Sequence, residues 1–96
     1  MAQEPVVIRN EVASRFELRL DGEVIGITEY SDDEDAKVRE FVHTELDPQF
    51  SGRGLAGRLV GTALKQTRDD GYRISPVCPY VAGYVRRHPE YQEVLA

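Results

Sequence analysis

The sequence changes its hydrophobic period once, at Gly54, and this change limits the fold more than any other feature. Before Gly54, apolar residues recur at every second position or in short β-branched runs, which is typical of strands. From Gly54 to about Arg68 they recur at helical spacing, in a stripe made of Leu55, Leu59, Val60, Ala63, Leu64 and Thr67. The sequence therefore predicts a sheet first and a covering helix afterwards.

Four strand-like segments precede this helix and one follows it. Phe16–Leu20 and Val24–Tyr30 flank Asp21-Gly22, a dipeptide favoured in the two-residue type I′ turn of a hairpin. The remaining elements are predicted, in chain order, as strands Val6–Arg9, Ala36–Leu46 and Tyr72–Ser75 and a short helix Val81–Arg87. The order β-β-β-β-α-β-α predicts an α+β fold with a mostly antiparallel sheet.

The longest strand candidate, Ala36–Leu46, carries polar groups among its apolar ones. Strict alternation predicts one face with Arg39, Phe41, His43 and Glu45, and an opposite face with Val38, Val42, Thr44 and Leu46. The acidic segment Ser31–Asp35 before it is predicted to be a solvated loop.

Composition excludes several classes of function. A chain of 96 residues predicts one domain, residues 1–96. Its 12 basic and 17 acidic residues argue against nucleic-acid binding, which needs a basic face. Its single cysteine rules out an internal disulfide and a multi-cysteine zinc site. The sequence shows neither a signal-peptide pattern nor a membrane-length apolar run, so a cytoplasmic location away from membranes is expected.

A glycine-rich turn joins the long strand to the helix. Glycine allows positive φ and close backbone approach, and the first N–H groups of a helix lack internal partners. These properties predict a phosphate site, although a plain turn is the simpler alternative. The segment reads Gln49, Phe50, Ser51, Gly52, Arg53, Gly54, Leu55, Ala56 and Gly57. A dinucleotide-binding unit is excluded because four strands precede the turn, and a P-loop because Gly-Lys-Ser/Thr is missing.

Two strings resemble a known family. Gln49-x-x-Gly52-x-Gly54 is similar to the glycine element of the GCN5-related N-acetyltransferases. The segments His43–Ala56 and Cys78–Tyr91 resemble the small, single-domain YjdJ type of that fold. The resemblance implies acetyl-coenzyme A as acetyl donor. It also implies that the N–H groups of residues 53–57 bind the pyrophosphate, that Gln49 and Phe50 line the entry, and that the pantetheine arm lies between the long strand and Tyr72–Ser75.

Acetyl transfer to an amine needs a base, a stabilised oxyanion and a proton for the leaving thiolate. His43 and Glu45 are candidate bases, with a structural histidine and a solvated carboxylate as the alternatives. Cys78 is a candidate acetyl acceptor or proton donor, or else a small buried side chain. The resemblance implies a general acid at Tyr84, for which packing is the alternative. No metal is expected.

The predicted function is therefore acetyl transfer from acetyl-coenzyme A to an amine, either a protein lysine or a small amine. The segment Asn10–Ser14 is too short for the helices that shape the acceptor site in larger members. This favours an alternative, a coenzyme A-binding module that acts through a protein partner without turnover. A monomer or weak homodimer is expected, the latter through a C-terminal cluster of Tyr80, Tyr84, Tyr91 and Leu95.

Overall fold

The computed structural model describes residues 4–96, in which five strands form one sheet in chain order. The first four strands are antiparallel and the fifth runs parallel to the fourth. The strands are β1 (Val6–Asn10), β2 (Arg15–Leu20), β3 (Glu23–Asp33), β4 (Val38–Leu46) and β5 (Arg73–Pro76). The helices are α1 (Leu55–Asp69) and α2 (Pro79–Arg87), with 3-10 turns at Pro48–Phe50 and Pro89–Val94. The predicted α+β class and element order are confirmed.

The β2–β3 hairpin turns where the sequence predicts it. Asp21 and Gly22 both have positive φ, 52° and 81°, as a type I′ turn requires. Strand β3 extends further than predicted, to Asp33, because residues 31–33 pair with residues 38–40 of β4. The predicted acidic loop Ser31–Asp35 is therefore wrong in its first half, since cross-strand hydrogen bonds hold that half extended.

The core lies between one face of the sheet and the two helices. Leu59, Val60, Ala63 and Leu64 of α1 are fully buried, and Thr67 is buried with them. The sheet contributes Phe16, Leu18, Tyr30, Phe41 and Ile74, and α2 contributes Val81 and Val85. Within residues 4–96 neither helix covers the opposite face, which we call the open face; it exposes Val6, Ile8, Val24 and Val42.

A β-bulge in β4 changes which residues share a face. Glu29 of β3 pairs with His43 and Tyr30 pairs with Phe41, so Val42 is an extra residue without a partner. Arg39 and Phe41 consequently lie on the buried face with Thr44 and Leu46, while His43 and Glu45 lie on the open face. The predicted alternation, which put Phe41 beside His43, is wrong because it assumed an unbroken strand.

The C-terminal residues pack inside the chain. Tyr91 is buried, and Tyr84 and Leu95 pack against the core. Leu95 also forms a parallel bridge with Ile74. Of the predicted dimer cluster, Tyr91 is therefore buried within the chain and Tyr80 is exposed, and the dimer face itself stays a prediction. Across residues 4–96, no helix has the length and apolar character needed to cross a membrane.

Candidate active site

The turn between β4 and α1 contains a run of main-chain N–H donors. Asp47 accepts from the N–H of Gln49 and starts the short 3-10 turn that follows β4. Gly52 and Gly54 then adopt φ of 77° and 73°, the left-handed region that glycine enters without strain. The N–H groups of residues 52–57 donate to no acceptor within residues 4–96, and the first bond of α1 runs from Arg58 to Gly54.

These donors lie in a positive field. They surround the N-terminus of a 15-residue helix, where the aligned peptide dipoles favour an anion. The guanidinium of Arg53 lies 5.6 Å from the ring of Phe50 and so stays beside the turn. Chemically, the turn can bind a phosphate group through backbone amides and one positive side chain.

Beside this turn, β4 is no longer paired with β5. The parallel ladder joins residues 38–41 of β4 to residues 73–76 of β5 and ends at Pro76, which has no N–H to continue it. The N–H of Cys78 donates to the carbonyl of Phe41 at 2.8 Å and closes this end. The expected position of the pantetheine arm, between β4 and Tyr72–Ser75, is therefore wrong, since those strands are hydrogen-bonded; a free strand edge begins only at Val42.

Cys78 caps the N-terminus of α2 on the buried side of β4. Its thiol lies 3.4 Å from the hydroxyl of Thr44, which lies 3.0 Å from the hydroxyl of Thr28. Cys78 is 5% exposed and Thr28 is fully buried. The thiol of Cys78 is thus hydrogen-bonded to the hydroxyl of Thr44. Within residues 4–96, neither His43 nor His88 forms a hydrogen bond with this thiol. Neither Thr28 nor Thr44 was predicted as a site residue, because their contact depends on the register between β3 and β4.

His43 and Glu45 lie together on the open face. The histidine Nε2 is 3.2 Å from the Glu45 carboxylate, and their side chains are 50% and 66% exposed. The carboxylate can orient the imidazole and leave Nδ1 free to accept a proton. The structure therefore brings these two predicted residues together and separates them from Cys78 by the thickness of β4.

Tyr84 joins neither group. Its ring stacks on His88 with centroids 3.8 Å apart, and its hydroxyl lies against Gly61 of α1. Burial raises the pKa of Tyr84, with a further contribution from Tyr91 and Glu90, so the phenol stays protonated at neutral pH.

A groove of about 790 Å³ runs along the open face from the end of β4 to β2. Ile27 and Val24 line its middle, Glu45 and Asp47 line one end, and Arg15 lines the other. Arg15 was not predicted as a site residue. The sequence pattern that could have indicated it is the alternation of the charged residues Arg15, Glu17 and Arg19 on the face of β2 opposite its apolar residues.

Comparison with known proteins decides which family this arrangement belongs to. The model of the GCN5-related N-acetyl-transferase family matches residues 15–94, which include the glycine turn and all four candidate catalytic residues. The chain belongs to this family. Enzymes of the GCN5-related family take acetyl from acetyl-coenzyme A, so the predicted cofactor is confirmed at the level of the family.

Two solved structures share the fold. A GCN5-like protein from Staphylococcus aureus, determined by NMR in solution, matches with a TM-score of 0.71 and 16% identity, over 95% of this chain and 87% of that chain. N-acetylglutamate synthase from Neisseria gonorrhoeae, crystallised with coenzyme A and N-acetyl-glutamate, matches with a TM-score of 0.56 and 19% identity. The second match covers 73% of this chain and 18% of that one.

Proposed function

We propose that this chain, as one domain over residues 1–96, transfers acetyl from acetyl-coenzyme A to a primary amine, and that it is a YjdJ-type member of its family. One observation carries the proposal, namely that the six N–H groups of residues 52–57, at the N-terminus of α1, have no acceptor among residues 4–96. Buried or ligand-facing main-chain donors need acceptors, and a diphosphate supplies several at once.

The free edge of β4 supports the same function. From Val42 to Leu46 this edge has no strand partner within residues 4–96, because the β4–β5 ladder ends at Phe41. An exposed strand edge offers alternating N–H and C=O groups to an extended ligand with amides of its own. Acetyl-coenzyme A fits this arrangement, since its diphosphate lies at the turn and its amide arm follows the edge toward Thr44.

Acetyl transfer then uses groups on both faces of β4, with His43 and Glu45 on the open face and Cys78 on the buried face. The amine nitrogen attacks the thioester carbon, an N–C bond forms and the C–S bond breaks. The imidazole of His43, oriented by Glu45, takes the proton from nitrogen. The Cys78 thiol gives its proton to the departing thiolate and regains one through the hydroxyl of Thr44.

Direct transfer agrees better with the surroundings of Cys78 than an acetyl-cysteine intermediate does. A nucleophilic thiol needs a base to remove its proton, whereas this thiol is hydrogen-bonded to Thr44 and lies across β4 from His43. We expect mass spectrometry to find no acetyl on Cys78 after single turnover. Tyr84 is the other candidate proton donor, and comparison of Cys78→Ala with Tyr84→Phe assigns the role to the variant with the larger loss of kcat.

Calorimetric titration with acetyl-coenzyme A tests the first step. Gly54 and Gly71 flank opposite ends of α1, both have positive φ, and neither has an atom within 4 Å of an added Cβ. Gly54→Trp and Gly71→Trp therefore carry similar backbone strain, but only the first blocks the donor turn. We expect affinity to fall about tenfold or more in Gly54→Trp and to persist in Gly71→Trp. Absence of binding by the wild type, or equal loss in both variants, contradicts the proposal.

One observation favours the alternative of a binding module without turnover. The connection between β1 and β2 is a turn at residues 11–14 with no helix to enclose an acceptor. Release of free thiol from acetyl-coenzyme A in the presence of an amine panel separates the two functions. Thiol release above the uncatalysed rate supports the enzyme, and binding without release supports the module.

The proposal includes the monomer or weak homodimer expected from the sequence. Sedimentation velocity over a concentration series checks it, and a tight oligomer at low concentration contradicts it.

A further inference from the structure

The groove on the open face has opposite charges at its two ends. Glu45 and Asp47 lie at the end where β4 stops, and Arg15 of β2 lies at the other end, with Ile27 between them. Resting on the function proposed above, we propose that the acceptor is a small ω-amino carboxylate, whose amine lies at His43 and Glu45 and whose carboxylate binds Arg15.

Arg15 is held so that its terminal nitrogens stay available. Its Nε donates to Oε2 of Glu17 at 2.7 Å, and within residues 4–96 its two terminal nitrogens have no hydrogen-bond partner. Glu29, the cross-strand neighbour of Arg15, forms no ion pair with it in that range. A guanidinium fixed through Nε presents its two terminal N–H groups to a carboxylate as a fork.

Glu17 is the positioning residue for this arginine. It is 1% exposed, although it lies on the open face. Asn10 and Arg15 donate to one of its oxygens and Arg19 to the other, so the carboxylate is fully satisfied. A buried carboxylate of this kind costs desolvation energy, and what it achieves here is a fixed orientation of Arg15 toward the groove.

The spacing of the strands sets the length of the acceptor. Arg15 and His43 lie in one row across β2, β3 and β4, since Arg15 pairs with Glu29 and Glu29 pairs with His43. Two interstrand spacings separate their backbones by about 10 Å. After each side chain makes a hydrogen bond of about 2.9 Å, about 4 Å remains between the amine nitrogen and the carboxylate oxygen, which two or three methylenes span. Glu29 lies between Arg15 and His43 in this row, and Ile27, in the next row between Glu17 and Glu45, provides the apolar surface for these methylenes.

The groove also connects to the reacting atoms. Thr44 contributes to the wall of the groove, and its hydroxyl, on the buried face of β4, accepts a hydrogen bond from the Cys78 thiol. An amine at Glu45 therefore lies next to the strand edge along which the thioester arrives. Its nitrogen gains the acetyl group, its proton passes to His43, and coenzyme A leaves as the thiol.

Turnover of a matched acceptor series tests the proposal, with 3-aminopropanoate compared with propylamine and 4-aminobutanoate compared with butylamine. The kcat/KM ratio of each amino acid over its matched amine is expected to be about tenfold or more in the wild type. We expect Arg15→Gln to bring this ratio close to one and Arg15→Lys to give an intermediate value. Arg19→Gln is the matched control, because Arg19 binds the same Glu17 but does not line the groove; its ratio should stay within about twofold of the wild type.

The outcomes separate this inference from the proposed function. Similar turnover of the amino acids and their matched amines, or equal effects of Arg15→Gln and Arg19→Gln, overturns the carboxylate site while acetyl transfer stands. Absence of turnover with every amine overturns the proposed function itself. Coenzyme A binding and the thermal midpoint, measured for each variant, show that a lost ratio does not come from unfolding.

Discussion

Two glycines inside α1, Gly57 and Gly61, allow the position of Tyr84 to be tested by substitution with alanine. Both are helical, so alanine raises helix propensity at each, by about 1 kcal/mol at Gly61 in the interior and by up to about that amount at Gly57 in the first turn. Their surroundings differ. A Cβ at Gly57 would lie 3.7 Å from the hydroxyl of Tyr80, which is an ordinary contact. A Cβ at Gly61 would lie 2.5 Å from the Tyr84 hydroxyl and 3.3 Å from its Cζ, so the ring must move.

The ring has little freedom to move. It stacks on His88 at an interplanar angle of 10°, and Tyr91 packs beside it at 6.4 Å. Overpacking of this kind costs about 1–3 kcal/mol. After subtraction of the helical gain, we expect Gly61→Ala to be less stable than the wild type by about 1 kcal/mol, and Gly57→Ala to be more stable by about 0.5–1 kcal/mol.

Urea unfolding followed by circular dichroism measures both free energies. The double variant Gly61→Ala/Tyr84→Phe removes the clashing oxygen and should recover part of the loss, which gives a coupling energy between the two sites. If Gly61→Ala stabilises the protein as much as Gly57→Ala does, the Tyr84 ring does not lie against α1 and this reasoning is refuted.

Three further predictions concern stability. Hydrogen bonds from Arg19, Asn10 and Arg15 lower the pKa of Glu17 from 4.5 to about 2, so the stability they provide is complete above pH 4.5 and is lost as the pH falls toward 2. Glu17→Gln should remove this acid dependence in urea titrations at several pH values, and an unchanged pH profile contradicts it. Thr44→Val leaves the buried Thr28 hydroxyl without its partner and should cost about 1–2 kcal/mol in thermal unfolding, whereas Thr44→Ser should cost less; equal losses would show that the hydroxyl pair is unimportant. Arg39→Leu breaks a buried ion pair with Asp32 and should lower the free energy of unfolding by about 3 kcal/mol. Arg58→Leu breaks an exposed ion pair with Glu4 and should lower it by less than about 0.5 kcal/mol. Comparable losses in the two variants would contradict the argument from burial.

Local patterns predicted most of the fold. The turn at Asp21-Gly22 and the helical stripe from Leu55 onward depend on neighbouring residues only, and both are confirmed. The bulge at Val42 depends on how β4 pairs with β3, which no local pattern contains. One extra residue there reversed the predicted faces for half of the strand.

In the candidate site, too, some features follow from local sequence spacing and others depend on the tertiary fold. Proximity of His43 and Glu45 follows from their spacing of two on a strand, and the structure shows it. The contact of Cys78 with Thr44 joins residues 34 positions apart, and it exists only because the β4–β5 ladder ends at Pro76. Ligand roles for the glycine turn remain predictions, since they concern what binds there.

The open face has a consequence for how this protein can change over time. Outward-pointing residues of β2, β3 and β4 lie outside the buried core, so we expect mutations there to preserve the packing beneath α1. Under the function proposed above, acetyl-coenzyme A binding depends on the glycine turn and the edge of β4, whereas the choice of acceptor depends on the open face. Evolution or laboratory selection can diversify the second without disturbing the first.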